Sequence, residues 1–453
     1  MMRYAEALKK LSSIGEEALL DNYASLSNSA QTHLLDDINL LCVDTFRSQQ
    51  GFLRRQLPKS AKNEKIINEF LPFCNPDKMG SAVRKARGLE LIAAGKVGCL
   101  IVAGGQGTRL SFDGPKGTFP ITLFKMKSLF QLFAERALAA GKQVNRVLPL
   151  AIMTSPQNHL ATVQFFTDHD NFGLHAEQLS FFMQEELPFL DEAGHLILLD
   201  QETIAKGPTG NGSSLDHFIK SGIWEKWIQQ GVEFLNFILV DNPLADPFDA
   251  ELIGFHQEND CDVTIKCIER SSASEQAGFL VETNQGIEIV EYSEIDARES
   301  VALLPDGTLK HRFINSGLYC FSMAFIKRAV DEMTLPWHLA YKSIGNQSSK
   351  GWKFETFIFD YFEMSKKTQG LLYPREYCFA PLKNSTGDSG IDKVQEALLK
   401  SDLRVLEEVV GQKISTSPIE LDLQFYYPTP EILSLWKGKL GPFSGYIRPI
   451  VKG

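Results

Sequence analysis

The chain has 453 residues, 43% of them hydrophobic and 23% charged, and a formal net charge of −10. That length exceeds one ordinary domain and predicts two or three, and the composition is that of a globular enzyme. The acidic balance excludes a general nucleic-acid binder, so an anion site has to be a local basic pocket, and no apolar run approaches a membrane span.

The N-terminus, Met1-Met-Arg-Tyr-Ala-Glu, lacks the apolar core of a secretory signal. Apolar residues at helical spacing, such as Leu34, Leu35, Ile38 and Leu41, predict helices up to about residue 85, a helical N-terminal region over 1–90. From 97 to about 385 strand-like and helix-like stretches alternate. Expected strands are 97–103, 148–154, 234–240 and 263–268; expected helices include 129–140, stopped by Gly141, and 215–220. This alternation predicts an α/β catalytic domain over 91–385 with a Rossmann-like, mixed but mostly parallel sheet. The tail, 386–453, has short β-like runs and the prolines Pro428, Pro430, Pro442 and Pro449, and reads as a small C-terminal region. Seven cysteines, Cys42, Cys74, Cys99, Cys261, Cys267, Cys320 and Cys378, form no CxxC pair and mostly sit in apolar runs, as expected of reduced thiols in a cytoplasmic protein.

The stretch Val102-Ala-Gly-Gly-Gln-Gly-Thr-Arg-Leu-Ser-Phe-Asp-Gly-Pro-Lys-Gly117 follows the first expected strand. Gly104, Gly105 and Gly107 let the backbone turn tightly and approach a ligand without a Cβ in the way. Arg109 and Lys116 add two cations to peptide N–H groups, a combination suited to a polyphosphate. The dinucleotide fingerprint G-x-G-x-x-G fails at Leu110, and the P-loop pattern fails because the lysine follows Pro115. A plain tight turn is the alternative. Asp241 ends another apolar run, 234–240, and both features fall at strand carboxyl ends, where ligands of open α/β sheets bind.

Gly104-Gly-Gln-Gly-Thr-Arg-Leu110 with Pro115-Lys-Gly117 resembles the signature of the UDP-sugar pyrophosphorylases, most closely those of the eukaryotic UDP-N-acetylglucosamine type. Ile152-Met-Thr-Ser155, Phe181-Phe-Met-Gln184, Pro208-Thr-Gly-Asn-Gly212, Val240-Asp-Asn242, Val290-Glu-Tyr-Ser-Glu294 and Pro381-Leu-Lys-Asn384 occur in the family's order and at similar spacing. The resemblance covers roughly 97–385 and implies a nucleotide-diphospho-sugar transferase fold, GT-A-like. It implies formation of a UDP-sugar and pyrophosphate from UTP and a sugar 1-phosphate, dependent on Mg²⁺.

On that resemblance Arg109 and Lys116 face the β- and γ-phosphates, and Lys383 reaches the phosphates from the far side; a solvated surface lysine is its alternative. Asp241 is a carboxylate costly to bury without a partner, which Mg²⁺ would be; a helix N-cap is the alternative. Asn242 reads equally as a cap or turn residue. Ala103 and Gly104 are expected to contact uracil through the backbone, with Gly105 beside them. Gln184 would read the base edge, Gly210 would let the base lie flat, and Asn211 would contact ribose or sugar; alone, Gly-Asn-Gly is an ordinary turn. Gly278, Glu291 and Asn315 match positions that contact hexose or metal, and Phe357 and Phe359 match an aromatic pair near the N-acetyl group or else pack in the core.

Four departures stand out: Ser111 and Ser213-Ser214 where glycine is common, Met183 in place of a second glutamine, and Asn315-Ser-Gly-Leu-Tyr-Cys320 beyond its first residues. They leave N-acetylglucosamine 1-phosphate as the expected substrate and glucose 1-phosphate, or a relaxed range, as the alternative. A catalytically silent UDP-sugar binder would tend to lose some of Arg109, Lys116, Asp241 and Lys383. An oxidoreductase would instead bind NAD tightly.

Overall fold

Apolar side chains at helical spacing build α1 (Tyr4–Ser12), α2 (Asn28–Leu40) and α3 (Val43–Gln56). Ser27 caps α2 by accepting from Ala30 N. Leu34, Leu35, Ile38 and Leu41 are all buried, as their spacing predicts. The computed structural model describes residues 3–56, 68–74, 80–284, 286–292, 294–345, 349–414 and 418–450. Residues 57–67 and 75–79 of the expected helical stretch lie outside the described residues.

The chain divides into two units, and the division differs from the expected boundaries at 90 and 386. The smaller unit joins 1–65 to two distant segments, 184–213 and 335–358; everything else forms the larger unit. Buried polar groups explain the grouping within the smaller unit. The Glu16 carboxylate accepts from Leu196 N (3.1 Å) and pairs with His195 Nδ1 (3.0 Å), while Asp37 accepts from Ile204 N (2.9 Å) and pairs with Lys206 (2.6 Å). A shared apolar core of Leu11, Leu34, Phe46, Leu190 and Phe354 completes it. Two antiparallel strand pairs lie here, 186–188 with 206–208 and 338–343 with 350–355.

The larger unit is built on a mixed sheet of β1 (Val97–Val102), β2 (Leu150–Thr154), β3 (Leu179–Met183), β4 (Phe234–Leu239), β5 (Val263–Glu269), β6 (Phe279–Thr283), β7 (Gly286–Val290), β8 (Phe313–Ser322) and β9 (Thr368–Leu372). Its main order is 73–74, β9, β5, β8, β4, β1, β2, β3, and along this run only β8 is antiparallel to its neighbours. The β6–β7 hairpin attaches to β8. The Val-Gly-Cys-Leu-Ile-Val run of β1 is almost wholly buried, as a central parallel strand requires. The four expected strands appear within two residues of their expected ends.

Around the sheet lie α4 (Ala82–Ala93), α5 (Leu129–Val144), α6 (His159–Asp168), α7 (Ala250–Glu258) and α8 (Ile391–Val410). Gly141 does not stop the helix expected over 129–140. The helix runs on to Val144 and ends at Asn145, in the left-handed region at φ 53°. A Cβ at Gly141 would stand 2.6 Å from Arg146 O, so this glycine gives the departing chain room to cross the helix. The expected C-terminal region is part of the larger unit and opens with the 20-residue α8. Beyond it, 419–421 pairs in parallel with 445–447, and Glu420 receives Phe124 N (2.7 Å) and Lys125 N (2.9 Å). No helix among the described residues is long and apolar enough to cross a membrane.

Helices α4 and α7 approach backbone to backbone. A Cβ on Gly88 would lie 1.7 Å from Ala250 O, and one on Gly254 would lie 2.0 Å from Arg84 O. Gly88→Ala is expected to destabilise the protein by about 3 kcal/mol, the upper end for overpacking. The check is the urea midpoint at unchanged m-value; a midpoint equal to that of the parent would show that the helices part without cost.

Candidate active site

The glycine-rich loop leaves β1 between β2 and β4. Ala103 N donates to Met153 O (2.7 Å). The loop then folds on itself: Lys116 N donates to Gly105 O (3.1 Å), and Gly107 N donates to Gly114 O (3.0 Å). A Cβ on Gly107 would touch Phe112 and one on Gly117 would overlap the Phe130 ring, whereas one on Gly105 would meet nothing within 4 Å. Gly105 therefore faces open space, while the other two glycines answer to packing. A short turn, Thr108–Leu110, exposes Arg109 and ends at Ser111 with φ 54°. This left-handed residue accounts for the glycine common at its position in the resembling family.

Lys116 is 8% exposed, and its Nζ donates to Leu382 O (3.3 Å). Leu382 N in turn donates to Asp241 O (2.7 Å). Burial pushes the Lys116 ammonium below the usual lysine range; Asp241 opposes this, and the positive charges of Arg109 and Lys383 add to it. The four charged residues expected at the phosphates thus act on one another in the larger unit. Lys383 itself is exposed.

The N-cap reading of Asp241 is overturned, because the next helix, α7, is capped by Asp249, which accepts from Leu252 N (3.1 Å). Asn242 is a turn residue. Its Oδ1 accepts from Leu244 N (3.3 Å) and Ala380 N (3.1 Å), and its Nδ2 donates to Cys378 O (2.7 Å). These bonds fasten the 378–382 strap to the end of β4 and so deliver Lys383. The described residues hold no group of three or more His, Cys, Asp and Glu able to grip a metal. The half-buried Asp241 carboxylate has no hydrogen bond or ion pair among them. Asp241 is thus a single open carboxylate with the Lys116 ammonium near it, which offers a divalent cation one oxygen ligand and no protein cage.

Gly278, Glu291 and Asn315 are brought together. Asn315 N donates to Gly278 O (2.9 Å), and a Cβ on Gly278 would stand 3.2 Å from Glu291 Oε1. A bulge in β8 at Asn315, with Gly317 at φ 73°, turns Gly317 N onto Asn315 Oδ1 (2.9 Å). The buried Tyr319 hydroxyl, its pKa raised by desolvation, lies beside Asn315 and near Glu291. Tyr319 was not singled out from the sequence, although it stands in the divergent 315–320 stretch. Ser293 of the neighbouring motif lies outside the described residues.

Gln184, Gly210, Asn211 and Phe357 belong to the smaller unit. Gln184 is buried. Gly210, at φ 83°, and Gly212 pack on Thr356: a Cβ on either would stand 2.5 Å from one of its oxygens, and Gly212 N donates to Thr356 O (2.9 Å). Asn211 Oδ1 accepts from Ile358 N (3.1 Å). The Gly-Asn-Gly stretch is thus a turn closed against the 356–358 backbone. Phe357 meets the His338 ring at 4.6 Å between centroids with the planes tilted by 51°, and Phe359 is buried in the larger unit.

Asn158 was also not foreseen. Wholly buried beneath the glycine loop, it donates from Nδ2 to Ala103 O (3.0 Å) and Gly105 O (3.3 Å) and accepts from Ser155 N (2.8 Å). Its one sequence cue is its place three residues after Ser155, just before α6.

Residues 52–419 match the model of the UTP–glucose-1-phosphate uridylyltransferase family. The chain is 30% identical to UDP-N-acetylglucosamine pyrophosphorylase of Saccharomyces cerevisiae, over 96% of this chain and 97% of that one. It is also 30% identical to human UDP-N-acetylhexosamine pyrophosphorylase-like protein 1, over 83% and 80% respectively. The crystal structure of uridine diphosphate N-acetylglucosamine pyrophosphorylase from Trypanosoma brucei superposes with a TM-score of 0.78 at 25% identity, covering 91% of this chain and 87% of that one. The expected nucleotidyltransferase fold is thereby borne out, and with it the family: the chain belongs to the UTP–glucose-1-phosphate uridylyltransferases, the UDP-sugar pyrophosphorylases.

Proposed function

We propose that the protein joins UTP and N-acetylglucosamine 1-phosphate into UDP-N-acetylglucosamine and pyrophosphate. The observation that carries this reading is the convergence of Arg109, Lys116, Asp241 and Lys383 around the Leu382 strap. The choice of sugar is supported by full-length likeness to a relative named for that product.

An oxygen of the sugar phosphate attacks the α-phosphorus of UTP. The α–β bridging bond breaks, and its electron pair leaves with pyrophosphate. The nucleophile is already an anion, so no protein base or covalent intermediate is required, and catalysis consists of positioning and charge stabilisation. Arg109, Lys116 and Lys383 are assigned to the phosphates and to the charge that grows on the leaving group. Asp241 is assigned to hold Mg²⁺, which when bound would neutralise phosphate oxygens. Gly104 and Gly105 are assigned to uracil, and Gly278, Glu291 and Asn315 to the hexose. Gln184, Asn211 and Phe357 keep the base, ribose and acetyl roles of the family pattern alone. Ala103 N–H is withdrawn from uracil contact by its bond to Met153 O. We place the reaction in the cytoplasm, supported by seven cysteines that form no disulfide.

Glucose 1-phosphate is the second reading, favoured by the divergent 315–320 stretch and its bulge. Pyrophosphate release from UTP and Mg²⁺, run in parallel with the two sugar phosphates, tests the choice. A clear preference for N-acetylglucosamine 1-phosphate is expected; a preference for glucose 1-phosphate would keep the mechanism and reassign the sugar pocket. Lys116→Ala is expected to lower turnover by on the order of 10²–10³, the scale for losing one preorganised charge-stabilising donor. Near-normal turnover would remove Lys116 from the phosphates. In Asp241→Asn, half-maximal activity should need at least about tenfold more Mg²⁺ with the thermal midpoint unchanged, and an identical metal titration would take Asp241 out of the site.

A further inference from the structure

Arg136 lies in the middle of α5, is 3% exposed, and has no carboxylate paired with it among the described residues. A guanidinium cannot shed its charge, so burying one is costly unless its donors are engaged. Its Nη1 donates to Pro243 O (2.5 Å) and Ala245 O (2.7 Å), and the Tyr426 ring centroid lies 5.2 Å from its Cζ. The two carbonyls belong to the turn that leaves β4. Asn242 closes the same turn from within: its Oδ1 accepts from Leu244 N (3.3 Å) and its carbonyl from Ala245 N (2.9 Å).

Asp241 opens this turn. Its carboxylate has no hydrogen bond or ion pair among the described residues, so the backbone alone sets its direction. That backbone is held by Leu382 N on Asp241 O (2.7 Å), by Asn242 and, through residues 243 and 245, by Arg136. Bonds from an ionised donor are the stronger kind, and Arg136 gives two of them to one turn. Its charge is answered elsewhere. Arg136 and Glu420 both line a cavity of about 20 Å³, and the buried atoms Nε and Oε1 have no protein partner among the described residues. One water fits such a space and would accept from Nε and donate to Oε1, so the guanidinium needs no carboxylate at the turn itself.

We propose that Arg136 is a positioning residue for the reaction: from α5 it fixes the 241–245 turn, and so aims the Asp241 carboxylate and, through Asn242, the strap that carries Lys383. This rests on the uridylyltransferase reading above.

The test compares the full-length parent, Arg136→Lys, Asp241→Asn and the double variant. Lysine keeps the charge but offers one nitrogen in place of the guanidinium fork. Amide hydrogen exchange of the proteins without metal or nucleotide reads the turn directly. Exchange in 241–246 should be about tenfold faster in Arg136→Lys, the scale of one hydrogen bond lost, and unchanged in the rest of β4. The kcat for pyrophosphate release should fall and the Mg²⁺ needed for half-maximal activity should rise, each by about tenfold or more, as for other groups that orient a metal ligand. KM for the sugar phosphate should stay unchanged. Because Arg136 acts through Asp241, adding Arg136→Lys to Asp241→Asn should shift the Mg²⁺ titration no further. A purely structural role would instead lower the thermal midpoint and slow both backgrounds by the same factor, and that result overturns the proposal. So does a folded Arg136→Lys with parental exchange in 241–246 or a parental Mg²⁺ titration. If the lysine variant lacks a cooperative melt, Arg136→Gln, which removes the buried charge and can still donate to one carbonyl, decides on the same comparisons. A parent that binds UTP with Mg²⁺ but releases no pyrophosphate fails the uridylyltransferase reading alone, and the Mg²⁺ dependence of UTP binding, measured by calorimetry, then takes the place of turnover. A parent whose UTP binding Mg²⁺ does not strengthen overturns both.

Discussion

The backbone of Leu382 ties together three parts of the larger unit that are remote in sequence. Its N–H donates to Asp241 O at the end of β4, and its carbonyl receives the Lys116 ammonium from the loop that follows β1. A lysine removed from water without a carboxylate in contact is held against its preference. Here one neutral carbonyl and the nearby Asp241 offset part of that cost, while Arg109 and Lys383 increase it. The arrangement is therefore more stable with anionic oxygens present than without them. On the proposed reading, the charges that oppose one another here would stabilise a polyphosphate, and being preorganised they would need little rearrangement as charge moves to a leaving group.

The glycines show how one residue type serves different constraints. Gly117 and Gly107 leave room for the rings of Phe130 and Phe112, Gly210 and Gly212 let the chain close on Thr356, and Gly88 and Gly254 let two helices touch. Gly105, unlike Gly107, Gly114 and Gly117, has nothing within 4 Å of where a Cβ would stand, which leaves room for a ligand to approach. Conversely, Ser111 occupies a left-handed conformation without being glycine and tolerates it at an exposed turn.

Much of this was legible in the sequence, because it depends on short-range chemistry. Strand β1 and its loop announce themselves through an unbroken apolar run followed by glycines and two cations. Helix α2 follows from the spacing of Leu34, Leu35, Ile38 and Leu41, all of them buried. The family motifs placed Arg109, Lys116, Asp241 and Lys383, and the fold brings those four into one field of charge. Other features needed a partner that the sequence does not name. Gly141 reads as a helix stop, yet the helix continues to Asn145 because the glycine's role is to pass Arg146. The domain boundaries expected at 90 and 386 ignore the buried Glu16 and the half-buried Asp37, whose carboxylates bind the N-terminal helices to residues 195–206.

By itself, then, the amino-acid sequence determined the alternation of elements, the glycine-rich, cationic character of the loop and the family, since periodicity, glycine placement and ordered motifs are local properties of the chain. Only the tertiary structure decided that Asn242 is a turn clamp, that Asp241 caps no helix, that Tyr319 lies beside Asn315, and that Asn158 holds the carbonyls of the glycine loop. Each of those assignments depends on which donor meets which acceptor across the sheet and its crossovers. Hydrogen-bond satisfaction in a buried site is a property of pairs, and the pairs exist only once long-range strand order has been set.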